Sequence, residues 1–354
     1  MACGDEENSV SVRHRKLIAE EGREAQNEKP LLTIAIPTYN RARYLRELLS
    51  VLFDQLIDQP QVELIISDNA SPDETPALLE EFRQRGLQFL YIRNETNIGA
   101  DGNILQCFEQ AHGKYVWVLS DDDVVVSGGI ASILSYIRVD NFDLIHLNSY
   151  PIEQTYRPHF GRNKRHATTI INARDFAKRV NVLLTFISCN IVNKDRLLNS
   201  THAPFAELLG THLIQLGWTY AALNSYRRGL YIHDRLVGAR DNNTGGYKLV
   251  EVFGLNLKRI TEERLLLECL RRPVVNGTIQ RFWPGMLLRY KNSKHRFLDD
   301  DSSWAKLNST FRDNCRYWIY AYPIVVLPHT LSVFWLLIVR IVNRIDKALG
   351  YILT

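Results

Sequence analysis

LLTIAIPTYNRARYLRELLSVLFDQL, residues 31–56, holds the fold in outline. From Leu31 the chain is apolar and rich in β-branched side chains until Pro37 stops the run. A strand that is apolar throughout, with no alternation, is one buried on both faces, as in a parallel sheet covered by helices. Past a short polar turn, Leu45, Leu48, Leu49, Leu52 and Leu56 recur at helical spacing and predict a helix lying against that strand. The unit then repeats. VELIIS (62–67), LQFLYI (87–92) and KYVWVLS (114–120) read as strands, and TPALLEEFRQR (75–85) and GNILQCFEQAHG (102–113) as the helices between them. Such alternation implies an α/β fold with a doubly wound, mostly parallel sheet flanked by helices. Beyond about residue 150 it loosens into a basic loop (Arg157, Arg162, Lys164, Arg165), short strands and helices, and from Tyr247 the text is helical to the end.

The composition sets broad limits. At 354 residues, 45% hydrophobic and 23% charged, the chain is long enough for a large core, and a net charge of +4 is too weak to argue for nucleic acid. The five cysteines are scattered without a CxxC pair, so neither a disulfide framework nor a zinc site is signalled and a reducing compartment is expected. Residues 1–29 lack both apolar periodicity and the apolar stretch of an export signal, and are expected to be a disordered extension.

In doubly wound sheets ligands bind beyond the carboxyl ends of the strands. Pro37, Thr38, Tyr39 and Asn40 end the first strand, Asp68 and Asn69 the second, Asn97 and Gly99 follow the third, and Ser120 to Asp123 end the fourth. Three consecutive carboxylates, Asp121, Asp122 and Asp123, repel one another in a crevice unless a cation is present. Mg²⁺ or Mn²⁺ takes one or two carboxylates and fills its remaining positions with water and phosphate oxygens, so the implied substrate carries a diphosphate. In IISDNASPDET, Asp73 fits a helix cap, whereas Asp68 fits a carboxylate accepting a hydrogen bond from a nucleobase.

Taken together, IPTYN, DNAS-x-D-x-T, N-x-G before a helix and an acidic cluster after an aromatic strand resemble family-2 glycosyltransferases of the GT-A fold. The likeness covers residues 31 to about 147. It implies a metal-dependent transfer of a hexosyl or deoxyhexosyl group, with a GT-A domain over 30–246. Within it, residues 30–147 would hold the nucleotide sugar and 148–246 the acceptor, followed by a helical region over 247–354. The nucleotide sugar would fall to Pro37, Thr38, Tyr39, Asn40, Asp68, Asn97, Gly99, Asn103, Asp121 and Asp122, and the metal to Asp122 or Asp123. Many members carry an aspartate where this chain has Ser120, which leaves the metal ligand open between those two. NIGADGN, the segment from Phe205 to His212 and ARDNNTGGY are further similar to the abequosyltransferase-like branch, which builds O-antigen side branches.

Transfer to a hydroxyl calls for a base on the acceptor side. PFAELLGTHLIQLGW offers Glu207 and His212, five residues apart on an expected helix, and a histidine titrates nearest to neutrality. A surface glutamate and a packed histidine are the structural alternative. Arg240, in a polar glycine-rich loop, could reach the donor diphosphate or simply lie at the surface. A nucleotidyltransferase would show a glycine-rich basic loop after the first strand and an oxidoreductase GxGxxG, neither of which PTYNRAR supplies. A non-catalytic membrane-associated scaffold would have no use for the acidic cluster.

The tail is broken by Pro323, Pro328, His329 and Arg340, so no run is long enough to span a bilayer. Trp318, Tyr320, Tyr322 and Trp335, with Arg340, Arg344 and Lys347, suit helices lying in the headgroup plane. The expected setting is cytoplasmic, peripheral on the inner face of a bacterial membrane, where a lipid-linked oligosaccharide would be the acceptor.

Overall fold

The computed structural model describes residues 29–152, 166–198, 205–240, 246–291, 299 and 301–350. Residues 1–28 of the expected extension and the basic loop from Arg157 to Arg165 lie outside these. Strands β1 (Leu32–Thr38), β2 (Val62–Asp68), β3 (Leu90–Arg93) and β4 (Tyr115–Val118) run parallel in the order β3-β2-β1-β4. All four therefore end on the same edge. Five more strands complete the sheet: β5 (Val124–Val125), β6 (Leu144–Ile152), β7 (Ala167–Ile170), β8 (Asn190–Asn193) and β9 (Gly229–Arg240).

Strand β8 enters antiparallel between β4 and β6, β9 runs parallel to β6, and β5 and β7 pair antiparallel with β9. The first half of the sheet is thus wholly parallel and the second half mixed. That mixture is why the strand–helix rhythm of the sequence fades after about residue 150, since antiparallel neighbours need no helical crossover between them.

Both faces of the parallel half are dry, as the unbroken apolar strands require. Leu32, Ile34 and Ile36 point into one cluster with α1 (Ala42–Leu56), α2 (Thr75–Gln84) and α4 (Gly129–Ile137), through Leu45, Leu49, Phe82 and Ile133. Ala35, Ile65 and Val116 face the other, shared with α3 (Gly99–Gln110), α5 (Ala173–Val180) and α7 (Leu216–Asn224) through Phe108, Phe176 and Trp218. The Asp73 carboxylate accepts from the amides of Ala42 at 2.9 Å and Thr75 at 3.1 Å, so it caps the starts of α1 and α2 together. A short helix, α6 (Lys194–Leu198), follows β8.

The helical region continues with α8 (Leu257–Arg264), α9 (Glu268–Gly277), α10 (Trp283–Lys291), α11 (Asp301–Phe311), α12 (Tyr322–Val326) and α13 (His329–Ala348). Leu257, Ile260, Leu270 and Val274 belong to the core beneath the sheet, so α8 and α9 are packed on the α/β domain. Trp283, Leu287, Leu307, Phe311, Tyr317, Ile324 and Leu336 form a separate cluster further out. Among the described residues no helix is long and apolar enough to cross a membrane.

Candidate active site

The strand β4 delivers the chain to Ser120, after which Asp121, Asp122 and Asp123 turn it back into β5, all three carboxylates being buried. Asp121 accepts from the Thr38 hydroxyl at 2.8 Å and from Arg41 at 3.1 Å. Asp122 accepts from the Ser120 hydroxyl at 2.5 Å and lies 3.6 Å from Arg41. In Asp123, one oxygen accepts from the Arg240 amide at 3.0 Å, and Oδ2 is buried without a hydrogen-bond partner. Burial and the neighbouring Asp122 charge push the Asp123 carboxyl up to about 7, against the pull of the Ser188 hydroxyl and the Arg240 amide. Asp121 is pushed up to about 6 by burial, with Arg41 opposing and Asp122 reinforcing the rise.

A buried carboxylate oxygen with nothing to bind is costly unless a ligand comes to it. Among the described residues no three His, Cys, Asp or Glu side chains converge as a cage, so the protein alone does not surround a metal. That donor set fits a Mg²⁺-like ion, which keeps one or two carboxylates and takes the rest of its shell from substrate and water.

Arg240 is not on a loop: it is the last residue of β9, and residues 241–245 beyond it are outside the described chain. Its side chain is almost fully buried, bonded to Glu47 at 2.5 Å and to the Asp122 carbonyl at 3.1 Å, with the guanidinium 4.8 Å from the Tyr44 ring centroid. Paired in this way, it fastens the acidic turn to α1, which is a different task from reaching over a diphosphate.

A second group of site candidates is built from the ends of β1 and β2. Asp68 is fully buried, accepting from the Ser71 amide at 2.8 Å and the Tyr91 hydroxyl at 2.9 Å, with Arg93 at 3.6 Å. Burial and the Asp68 charge push the Tyr91 phenol up to about 12, so the tyrosine stays a donor at every working pH. Asn69 gathers the next loop, donating to Asn97 at 2.8 Å and to the Gly99 carbonyl at 3.2 Å and accepting from the Ile98 amide at 2.9 Å. Asn103, expected on the ligand, is instead buried and braced between Ser67 and the Thr38 carbonyl. Pro37 is half-buried and Tyr39 is exposed at the rim. Asn40 and Ala70 take left-handed backbone angles, φ 54° and 63°. For alanine such a conformation costs roughly 1 kcal/mol or more, and strain of this kind collects at binding loops.

Asp68 therefore organises the 68–71 loop. Asp68→Ala is expected to raise the KM for donor several-fold with a smaller change in kcat, and to lower the melting temperature because two buried donors lose their acceptor. Saturation kinetics with a fall in kcat at constant KM would contradict this reading.

Glu207 and His212 do not share a helix. Glu207 lies in a 3₁₀ turn (Phe205–Leu208), exposed and ion-paired with Arg264, while α7 begins only at Leu216. His212 sits in the intervening turn with φ 59°, exposed, its ring 5.4 Å from that of Tyr247. Gly210, at φ 79°, breaks the helix that the spacing suggested. What fixes the turn is Asp101, buried on α3, which accepts from the His212 amide at 2.8 Å. Burial holds the Asp101 carboxyl above its usual value, while the amides of His212, Ile214 and Gly210 pull it down. Thus the NIGADGN segment is tied directly to the turn that carries His212.

Asp101→Ala is expected to lower both the melting temperature and kcat, since a buried amide left without its acceptor costs about 1–3 kcal/mol. Asp101→Asn should restore most of both, because its side-chain oxygen still accepts. An asparagine variant as inactive as the alanine one would mean that the charge, not the hydrogen bond, matters.

Arg41, Glu47, Ser188 and Asp101 were not singled out by sequence. Arg41 stands beside Arg43 in NRAR with nothing to distinguish them, and Ser188 reaches the acidic turn only because β8 inserts beside β4.

A parallel half-sheet with buried carboxylates at its strand ends, continued by a mixed half, is the architecture of GT-A glycosyltransferase domains. The family model for glycosyl transferase family 2 matches residues 33–199, just under half of this chain. The chain is 36% identical over 108 residues to the abequosyltransferase RfbV of Salmonella typhimurium, covering 30% of this chain and 32% of that one. It is 29% identical over 106 residues to the GalNAc(5)-diNAcBac-PP-undecaprenol β-1,3-glucosyltransferase of Campylobacter jejuni, covering 30% and 34%. These matches thus span about a third of each relative's length. Among solved structures, residues 1–349 of TarS from Staphylococcus aureus superpose with a TM-score of 0.55 at 18% identity, over 79% of this chain and 89% of that one, which is a likeness of fold.

Proposed function

We propose that this protein is a metal-assisted glycosyltransferase that moves a sugar from a nucleotide diphosphate carrier to a glycan on a lipid-linked acceptor, in the making of a bacterial surface polysaccharide. The observation that carries the reading is the buried turn Asp121–Asp123, with the unpartnered Oδ2 of Asp123, at the edge where four parallel strands end. The names of the matched relatives agree with it, and TarS has been crystallised with UDP and with UDP-GlcNAc.

Asp123, with Asp122 beside it, would hold Mn²⁺ or Mg²⁺. The ion's chemistry is to neutralise the charge that builds on the departing diphosphate. Thr38 and Arg41 hold Asp121, Arg240 holds the turn against α1, and the loops of Asn69 and Asn97 frame the base and ribose. His212, presented on its Asp101-anchored turn, would take the acceptor hydroxyl proton. Support for a membrane setting comes from α13. At 100° per residue its buried Ser332, Leu336 and Val339 lie opposite the exposed Phe334, Leu337, Ile341 and Ile345. Such an uncovered apolar stripe on an amphipathic helix suits the plane of the headgroups at the inner face.

A donor screen tests the core of this reading. UDP-, GDP-, CDP- or dTDP-sugars with Mn²⁺ should raise the melting temperature jointly, and more than either component alone. A chain unmoved by every pair would be a scaffold.

A further inference from the structure

We infer that Asn256 is a positioning residue for His212, so that the helical region, and not α3 alone, sets the proposed base. The inference rests on the acceptor-side role proposed for His212 and goes beyond it by naming what holds the imidazole in place. Asn256 ends the π-helical turn Glu251–Asn256 that leads into α8. Its side-chain amide donates to the Thr211 carbonyl at 3.2 Å. The amide of His212, which donates to Asp101 at 2.8 Å, belongs to the same peptide unit. One peptide plane is thus held at both ends, from α3 on the amide side and from the helical region on the carbonyl side.

That plane decides where the ring stands. A peptide group is rigid, so tipping it changes ψ of Thr211 and φ of His212 together. His212 has φ 59°, a left-handed conformation that a residue with a Cβ adopts at a cost. Released at its carbonyl, the plane can tip toward the ordinary negative φ and carry the imidazole away. The helical region is well placed to prevent this. Leu249 and Val250 lie in the cluster around Trp283, and Val252 and Leu257 in the core beneath the sheet, so the segment that bears Asn256 is anchored on both sides. At the far end of α8, Arg264 pairs with Glu207, which seats the 207–212 segment along the same helix. Tyr247, where the helical region starts, sets its ring 5.4 Å from the imidazole. Turns of the π type are rare and gather at functional sites, and this one ends on the residue that bonds the 211–212 peptide.

The test is a double-mutant cycle on the full chain. It is read as nucleoside diphosphate released from UDP-, GDP-, CDP- and dTDP-sugars with Mn²⁺, a bacterial glycolipid extract serving as acceptor. Asn256→Ala removes the side-chain amide, and Asn256→Asp keeps its shape but cannot donate once ionised. Each should lower kcat roughly tenfold, the scale of one neutral hydrogen bond, with the donor KM unchanged. In the His212→Asn background, which is slow already, neither should slow the reaction further, because Asn256 acts through the imidazole. The position is only half-buried, so both variants should fold, and the aspartate one, which fills the same space, carries the comparison if alanine lowers the melting temperature. An unchanged rate in His212→Asn would remove the base, and this inference with it. A slow His212→Asn leaves the base standing. Combined with no loss in either Asn256 variant, or with the tenfold loss repeated in full beside His212→Asn, it would overturn the role of Asn256 alone.

Discussion

Asp123→Asn is expected to abolish glycosyl transfer and at the same time to raise the melting temperature of the nucleotide-free protein. The two effects have one cause. The Asp123 carboxyl is buried beside Asp122 and pushed up to about 7, so the folded protein holds its charged form at a cost. A carboxyl whose folded pKa is raised destabilises the fold as pH climbs past its unfolded value of about 4, and the penalty is complete above about 7. Asparagine keeps the oxygen that accepts from the Arg240 amide and removes the charge, so the penalty disappears. The gap in melting temperature between variant and wild type should therefore widen from pH 5 to pH 8. Roughly 2 °C or more is expected for each kcal/mol gained in a chain of this size. Mn²⁺ with a nucleoside diphosphate should stabilise wild type and leave the variant where it was. Asp122→Asn should lose transfer as well, through the hydrogen bond to Ser120 and the charge beside Arg41. Full turnover in both variants would sink the assignment of the acidic turn.

The parallel half of the fold was legible because its physics is local. Leu31 to Pro37 had to be doubly buried, the leucines from Leu45 to Leu56 had to face it, and helix α1 begins and ends where that spacing put it. The acidic turn was legible for the same reason, since three carboxylates in a row carry their own demand for a cation. What could not be read is what depends on chain segments far apart. The partners that make the acidic turn rigid, Ser188 and Arg240, arrive in the 3₁₀ turn leading into β8 and at the end of β9, strands whose direction in the sheet no local pattern specified. Asn103 has the side chain of a ligand residue, yet its amide is spent on Ser67 and Thr38, and only the packing of α3 on the strand ends decides that. Glu207 and His212 kept their identities but lost their common helix. Gly210 sits between them, and a glycine inside an apolar periodicity reads equally as a tolerated helix residue or as its end. Arg240 was legible as a conspicuous cation, but its burial against Glu47 and Tyr44 was not.

His212→Asn is expected to lower kcat by about a hundredfold or more with the donor KM unchanged, the scale usual for loss of a general base. Asparagine is the better first choice because position 212 has φ 59°, a left-handed conformation that asparagine tolerates and alanine resists. The backbone amide that donates to Asp101 survives either substitution, so the turn should hold its place and the melting temperature should barely move. His212→Ala should show the same kinetic loss with an added drop in stability, and the difference between the two separates backbone strain from chemistry. Glu207→Gln is the control. Glu207 is exposed and its partner is Arg264, so removing the charge gives up a surface ion pair worth at most about 1 kcal/mol and should leave the rate near wild type. On the proposed reading the donor lies at the strand ends of β1, β2 and β4, whereas His212 is held by Asp101 on α3. A loss confined to kcat is therefore what a base on the acceptor side requires. If the glutamine variant were the inactive one and the asparagine variant turned over normally, the proton would have to leave through Glu207, and the turn held by Asp101 would be packing alone.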